Sequence, residues 1–196
     1  NGNTCGTDIV EIYGGGNMAA GNAGAITINN CDAVIDTLYG GAKAADVSNN
    51  IVLNLVKGQI GSAFGGNNVS GTISGTITVN VNLDDCASLD YVYGAGNKAP
   101  YTGSPIVNVN NGTVNKSVYG GGKGATAVVT GNPVVTIGDN NAQHVAIVTE
   151  NVYGGGDAAA VTGNTSVTYN DNNASSTVAN LFGGGNAAGV SGTATV

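Results

Sequence analysis

The chain contains no Arg and no Trp, and its 196 residues include only three Pro, three Cys, one His and one Met. Charged residues make up 9%, with 12 acids against five Lys, for a formal net charge of −7. Each shortage removes a class of protein. An acidic chain without Arg is a poor match for nucleic acid, whose phosphates are held mainly by Arg and Lys. Three Pro are too few for a collagen-like triple helix, which also needs Gly at every third position. No apolar run approaches the ~18 residues of a membrane-spanning helix, so no membrane insertion is expected. No basic stretch followed by an apolar one opens the chain, so no signal peptide is visible and Asn1 reads as the start of a processed or excised chain. Disorder normally accompanies low hydrophobicity, whereas 41% of these residues are apolar.

What the chain has in abundance is Gly, at 34 residues, and Asn, at 28. Both disfavour helix interiors, which leaves an all-β protein punctuated by Gly and Asn turns. An aromatic followed by a glycine recurs at Tyr13, Tyr39, Phe64, Tyr93, Tyr119, Tyr153 and Phe182, at intervals of 26, 25, 29, 26, 34 and 29 residues. An apolar residue precedes every aromatic: Ile12, Leu38, Ala63, Val92, Val118, Val152 or Leu181. Four positions after the aromatic the sequence carries Asn, Lys or Asp, and six positions after it Ala or Ser. Self-similarity of this period is the signature of a repeat architecture.

Each copy then continues into a short alternating segment, for example Leu53-Asn54-Leu55, Val107-Asn108-Val109 and Val135-Thr136-Ile137. Alternation with β-branched residues reads as a strand with apolar side chains on one face and Thr or Asn on the other. A unit of 25–34 residues cannot bury its own apolar face, but stacked units can. The fold class expected is all-β: a single-stranded parallel β-helix of about seven coils, a rod of roughly 33 Å at a strand spacing of ~4.8 Å. Right-handed winding is expected from the general preference of parallel crossovers. A β-sandwich or propeller of hairpins is the alternative. Residues 1–196 read as one domain, and the last copy stops at Val196 as its second strand should end. Either the chain is a segment of a longer solenoid, the preferred reading, or its open end self-stacks on another molecule.

Cys5 and Cys31 each lie eight residues before their aromatic, whereas Cys86 lies seven before Tyr93. Equivalent Cα atoms of adjacent coils are ~4.8 Å apart, within disulfide range. The spacing therefore predicts a Cys5–Cys31 bridge with Cys86 as a buried thiol, against the alternative of three reduced core cysteines.

Candidate binding residues fall on the outward face of the alternating strands. Thr27, Asn54, Thr78, Asn108, Thr136, Thr168 and Thr195 are expected to form one straight file, and Asn29, Asn80, Asn110 and Asn170 a partial second one. Such an array resembles the hydroxyl faces of ice-binding β-solenoids, although the ordinary β-propensity of Thr also accounts for it. His144 lies in the insertion that lengthens the fifth interval to 34 residues, a loop suited to a specific contact. One histidine without partners builds neither a triad nor a metal site. No catalytic residues or cofactors are expected; a calcium-supported turn at Asp84-Asp85 is the single metal alternative. The aromatic column reads as a buried stack, or alternatively as an exposed platform for sugar rings.

The unit from Val152-Tyr153-Gly154-Gly155-Gly156-Asp157 through Val161 to Val167-Thr168 resembles the β-helical repeats of large adhesin-like surface proteins of gut bacteria and related microbes. The resemblance covers nearly the whole chain and carries no catalytic motif. It implies export, attachment to the cell surface and a rigid stalk or adhesive rod. The functional expectation is a non-enzymatic extracellular or cell-surface β-helix acting as adhesin, stalk or fibre segment. A carbohydrate-binding or carbohydrate-active β-helix and an ice-binding Thr/Asn face are the alternatives. The partners implied are a host or microbial surface glycan or protein.

Overall fold

In the computed structural model residues 7–196 are described, and among them there is no helix. The first strands are β1 (Thr7–Tyr13), β2 (Ala25–Ile28), β3 (Ala33–Tyr39), β4 (Ile51–Leu55), β5 (Gln59–Phe64), β6 (Ile77–Asn82), β7 (Ser88–Tyr93) and β8 (Tyr101–Thr102). They are followed by β9 (Ile106–Val114), β10 (Val118–Tyr119), β11 (Val129–Thr130), β12 (Val134–Ile137), β13 (Ala146–Tyr153), β14 (Thr165–Tyr169), β15 (Thr177–Phe182) and β16 (Ala194–Thr195).

The strand pairings are parallel, and each strand pairs with its counterparts in neighbouring copies of the repeat. One wall stacks β1, β3, β5, β7, β10, β13 and β15; a second stacks β2, β4, β6, β9, β12, β14 and β16. A third, narrower side is made by β8 with β11 and by single bridges such as Gly21↔Val47↔Ile73 and Val129↔Val161↔Val190. The chain passes each wall once per copy, giving a β-solenoid of about seven turns. Parallel pairing throughout replaces the hairpins that a sandwich or propeller requires.

Alternation puts the apolar half of each second-wall strand inside. Ile51, Leu53 and Leu55 of β4 and Ile77, Val79 and Val81 of β6 have no exposed surface. They meet Ile35, Leu38, Ile60, Leu89 and Val92 from the first wall in one continuous core. Burying each such side chain contributes ~1.5–3 kcal/mol.

The first wall departs from strict alternation at one place. In β3 the core residues Ile35 and Leu38 are three apart rather than two, so the strand changes phase at Asp36-Thr37. Leu38 therefore points inward and Tyr39 falls in a second, separate cluster with Phe64, Tyr93, Tyr119 and Tyr153. From Leu38-Tyr39 to Val152-Tyr153 both the aromatic column and the apolar column before it are buried. The seven rings stack face to face with centroids 4.6–5.1 Å apart and planes within 15°. Such a pair is worth ~0.5–1.5 kcal/mol beyond the area it buries.

The glycine after each aromatic is required by the stacking itself. A Cβ on Gly40 would lie 2.6 Å from the Gly65 oxygen and from Ile51 Cγ2, and Gly14, Gly65, Gly94, Gly120 and Gly154 likewise face the first-glycine oxygen of the next coil. The same residues carry the ladder onward, with Gly40 N donating to Phe64 O at 2.8 Å and Gly65 N to Tyr93 O at 2.9 Å. The turn that follows folds back over the rings. Asn68 Nδ2 donates to the Tyr13 hydroxyl at 2.7 Å, and Lys123 Nζ lies about 6 Å from the Phe64 and Tyr93 ring centroids.

Candidate functional site

The outward face of the second wall is built by the same alternation that fills the core, and its register differs from the expected file. Thr27 aligns with Asn54, Asn54 with Asn80, Asn80 with Asn108, Asn108 with Thr136 and Thr136 with Thr168. Thr78 and Thr195 are not members: they belong to a neighbouring file with Val52, Ile106, Val134 and Ser166. Asn80 moves correspondingly into the first file. The physical reason lies in β6, where Ile77, Val79 and Val81 all point inward and leave both Thr78 and Asn80 outward. Backbone register, not alternation, decides which of the two lines up with Asn54.

The central members of the true file satisfy one another. Asn80 Nδ2 donates to Asn54 Oδ1 at 2.9 Å, Asn108 Nδ2 to Asn80 Oδ1 at 3.0 Å, and Asn54 Nδ2 reaches Thr27 Oγ1 at 3.5 Å. One file over, Asn110 Nδ2 donates to Asn82 Oδ1 at 3.0 Å. The amides thus form ladders along the rod axis, each spanning one coil step.

The corner between the second and first walls carries the remaining candidates. Its turns differ in length: residues 29–32, 83–87, 138–145 and 170–176 form the longer loops, whereas residues 56–58 and the continuous β9 around Gly112 turn tightly. Gly58 and Gly112 have φ of +99° and +91°, a conformation that favours glycine. The two loops beside Gly58 reach across it, and Cys31 and Cys86 form a disulfide with Cα atoms 5.5 Å apart. This corrects the expected Cys5–Cys31 pairing and the buried Cys86 thiol; Cys5 lies outside the described residues. Cys31 and Cys86 belong to coils two steps apart, but both loops bulge past the short turn between them. A Cβ on Gly58 would sit 3.2 Å from the Asn30 and Ala33 oxygens, so the turn is held beneath the bridge.

Asp84 and Asp85 lie in the loop that carries Cys86. Asp84 Oδ1 accepts from the Asp85 N–H at 2.8 Å and Oδ2 lies 3.4 Å from Lys57 Nζ. The Asp85 N–H, and after it Lys57, hold the Asp84 carboxyl below the usual carboxylate range. Among the described residues the Asp85 side chain has no hydrogen-bond or ion-pair partner, and no three His, Cys, Asp or Glu residues are grouped to hold a metal.

His144 sits in the loop 138–145 as the sequence placed it. Its Nδ1 lies 2.8 Å from Asp139 Oδ2 and its Nε2 lies 3.3 Å from Asn141 Nδ2, both within the loop. The loop is tied to the next coil through Asn140 Nδ2 to Asn170 Oδ1 at 2.8 Å and Asn173 Nδ2 to Ala142 O at 2.9 Å. His144 is therefore brought together with Asp139 and remains apart from the Thr/Asn file on the second wall.

The aromatic column offers no continuous outer platform. Tyr39, Phe64, Tyr93, Tyr119 and Tyr153 are buried, and only Phe182 at one end of the stack is exposed, at 44%. Burial pushes the Tyr39 and Tyr119 hydroxyls up to about 12 and raises Tyr93 further in the same direction.

One feature of the corner escaped residue-by-residue reading. Above Gly112 the loops 83–87 and 138–145 face each other across a cleft of about 400 Å³. Its signal in the sequence is the pair of longer turns on either side of the tight one at Gly112, which becomes visible only once the strands are in register. No family model, curated protein or solved structure matches the chain.

Proposed function

We propose that the chain is a non-enzymatic structural rod outside the cytoplasm, an adhesin, stalk or fibre segment at a cell surface or in the extracellular space. The observation that carries this reading is where the repeat's defining residues go. Aromatic, apolar partner and first glycine are all taken up in coil-to-coil stacking. A molecule that places its most regular chemistry inside is organised for stiffness along its axis. The Cys31–Cys86 bridge supports an oxidising compartment, since such bonds are rare in the cytosol. The resemblance to adhesin-like β-helical repeats supports the same placement. In this reading parallel ladders carry load along the rod, and the corner loops present repeated weak contacts whose sum gives avidity.

The test is labelling of intact source cells with antibody raised against the chain, together with thiol trapping of the native protein. Labelling without permeabilisation, with Cys31 and Cys86 recovered oxidised, is the expected result. Labelling only after permeabilisation, with both thiols free, contradicts the proposal.

A further inference from the structure

We propose that the cleft above Gly112 binds a short neutral saccharide. This goes beyond the rod reading and does not rest on it, since a stiff rod stands with or without a ligand at this corner. Three observations converge on the site.

The first is its construction. The cleft lies between loops two coils apart, so its width is set by two strand spacings, ~9–10 Å. Its floor is already fixed. Asn111 Nδ2 donates to Leu83 O at 2.7 Å, Asn111 Oδ1 accepts from Val145 N at 2.9 Å, and Gly112 N donates to Val145 O at 2.7 Å. One amide side chain thus ties both walls, and little ordering remains for a ligand to impose. The wall at residues 83–87 is further held by the disulfide on its far side. A volume of about 400 Å³ falls within the range of small-ligand sites.

The second is the set of polar groups left over. Asp85, Thr113 and Gln143 line the cleft, and among the described residues none of their side chains has a hydrogen-bond partner. A carboxylate accepts, while a hydroxyl and a primary amide both donate and accept. That combination suits adjacent sugar hydroxyls, each of which donates and accepts. The third is the aliphatic surface beside them: Ala87, Val145 and Ile147 offer a patch for the C–H face of a pyranose ring. Charge selects within the class. Lys57 pairs with Asp84, 3.4 Å away, leaving Asp85 to repel an acidic sugar.

The experiment is saturation-transfer and amide-shift NMR on the full 196-residue chain, with neutral and acidic mono- to tetrasaccharides as probes. The expected result is a neutral saccharide bound with a dissociation constant of about 1 mM. Amide shifts would be confined to residues 83–87, 111–113 and 143–147. Asp85→Ala and Gln143→Ala should each weaken binding about tenfold, whereas Thr162→Ala on the narrow third side leaves it unchanged. If a variant fails to fold, the wild-type shift map alone decides. No neutral saccharide binding at ~10 mM, shifts lying elsewhere, or preference for acidic sugars would overturn the proposal. Cellular location does not enter this measurement, so its failure is distinguishable from failure of the rod reading.

Discussion

Gly58 and Gly112 turn the same corner of the solenoid, two coils apart, and both turns are tight with φ near +90° to +100°. Each is flanked by longer loops, and the loop 83–87 is common to both. On its Cys86 side the neighbouring loop is close enough for a disulfide, and the gap over Gly58 is closed. On its other side the next loop is held by hydrogen bonds through Asn111, and a cleft remains. The same backbone corner gives a staple in one place and an open site in the other. Loop length and a single side chain make the difference, together with a register shift between Val81 and Asn82 beside the Gly112 turn.

Breaking the staple should have the largest effect. Cys31 and Cys86 enclose a sequence separation of 55, for which the chain-entropy account gives about 4 kcal/mol. The Cys31→Ser/Cys86→Ser double variant should melt about 10 °C lower by circular dichroism, and an unchanged melting temperature contradicts the role assigned to the bridge. The two glycines provide the next comparison. An added Cβ at Gly112 would collide with Leu83 Cβ, whereas at Gly58 the closest contacts are 3.2 Å. Gly112→Ala is expected to cost about 2–4 kcal/mol and Gly58→Ala about 1–2 kcal/mol, combining backbone strain with contact. Chemical denaturation measures both, and the reverse order would place the tighter packing at the stapled corner. The smallest change is Asn111→Ala, which leaves Leu83 O and Val145 N without their side-chain partner. A loss of about 1 kcal/mol is expected, with faster hydrogen exchange at Val145 and unaltered exchange near Gly58.

These corners also mark how far the sequence could be read. The aromatic column, the strands that alternate and the number of coils were legible, because each is a periodic property repeated in every copy. The Cys31–Cys86 pairing was not, since it depends on how far two loops bulge past a third. Thr78 falls outside the expected file because Ile77, Val79 and Val81 permit two outward residues, and alternation alone cannot choose between Thr78 and Asn80. The burial of both Tyr39 and Leu38 depended on a phase change in β3 and on the turn that folds Asn68, Asn97 and Lys123 toward the rings. Periodicity reports what every coil shares, and the candidate site lies where the coils differ.

The central claim is that the repeat's aromatic residues are interior structure, and alkaline titration of the tyrosines tests it most directly. Tyr39 and Tyr119 are raised to about 12 by burial, while an unfolded tyrosine ionises near 10. Between those values the unfolded chain binds fewer protons than the folded one, so stability falls as pH rises. The stabilising contribution is fully present below about pH 10 and is lost on approaching about pH 12. Followed by tyrosinate absorbance and circular dichroism together, the account predicts that Tyr39, Tyr93 and Tyr119 stay protonated past pH 10 while the fold is intact. Their ionisation then coincides with unfolding at higher pH. Ionisation of all eight tyrosines near pH 10, with the β-signal intact, would contradict it.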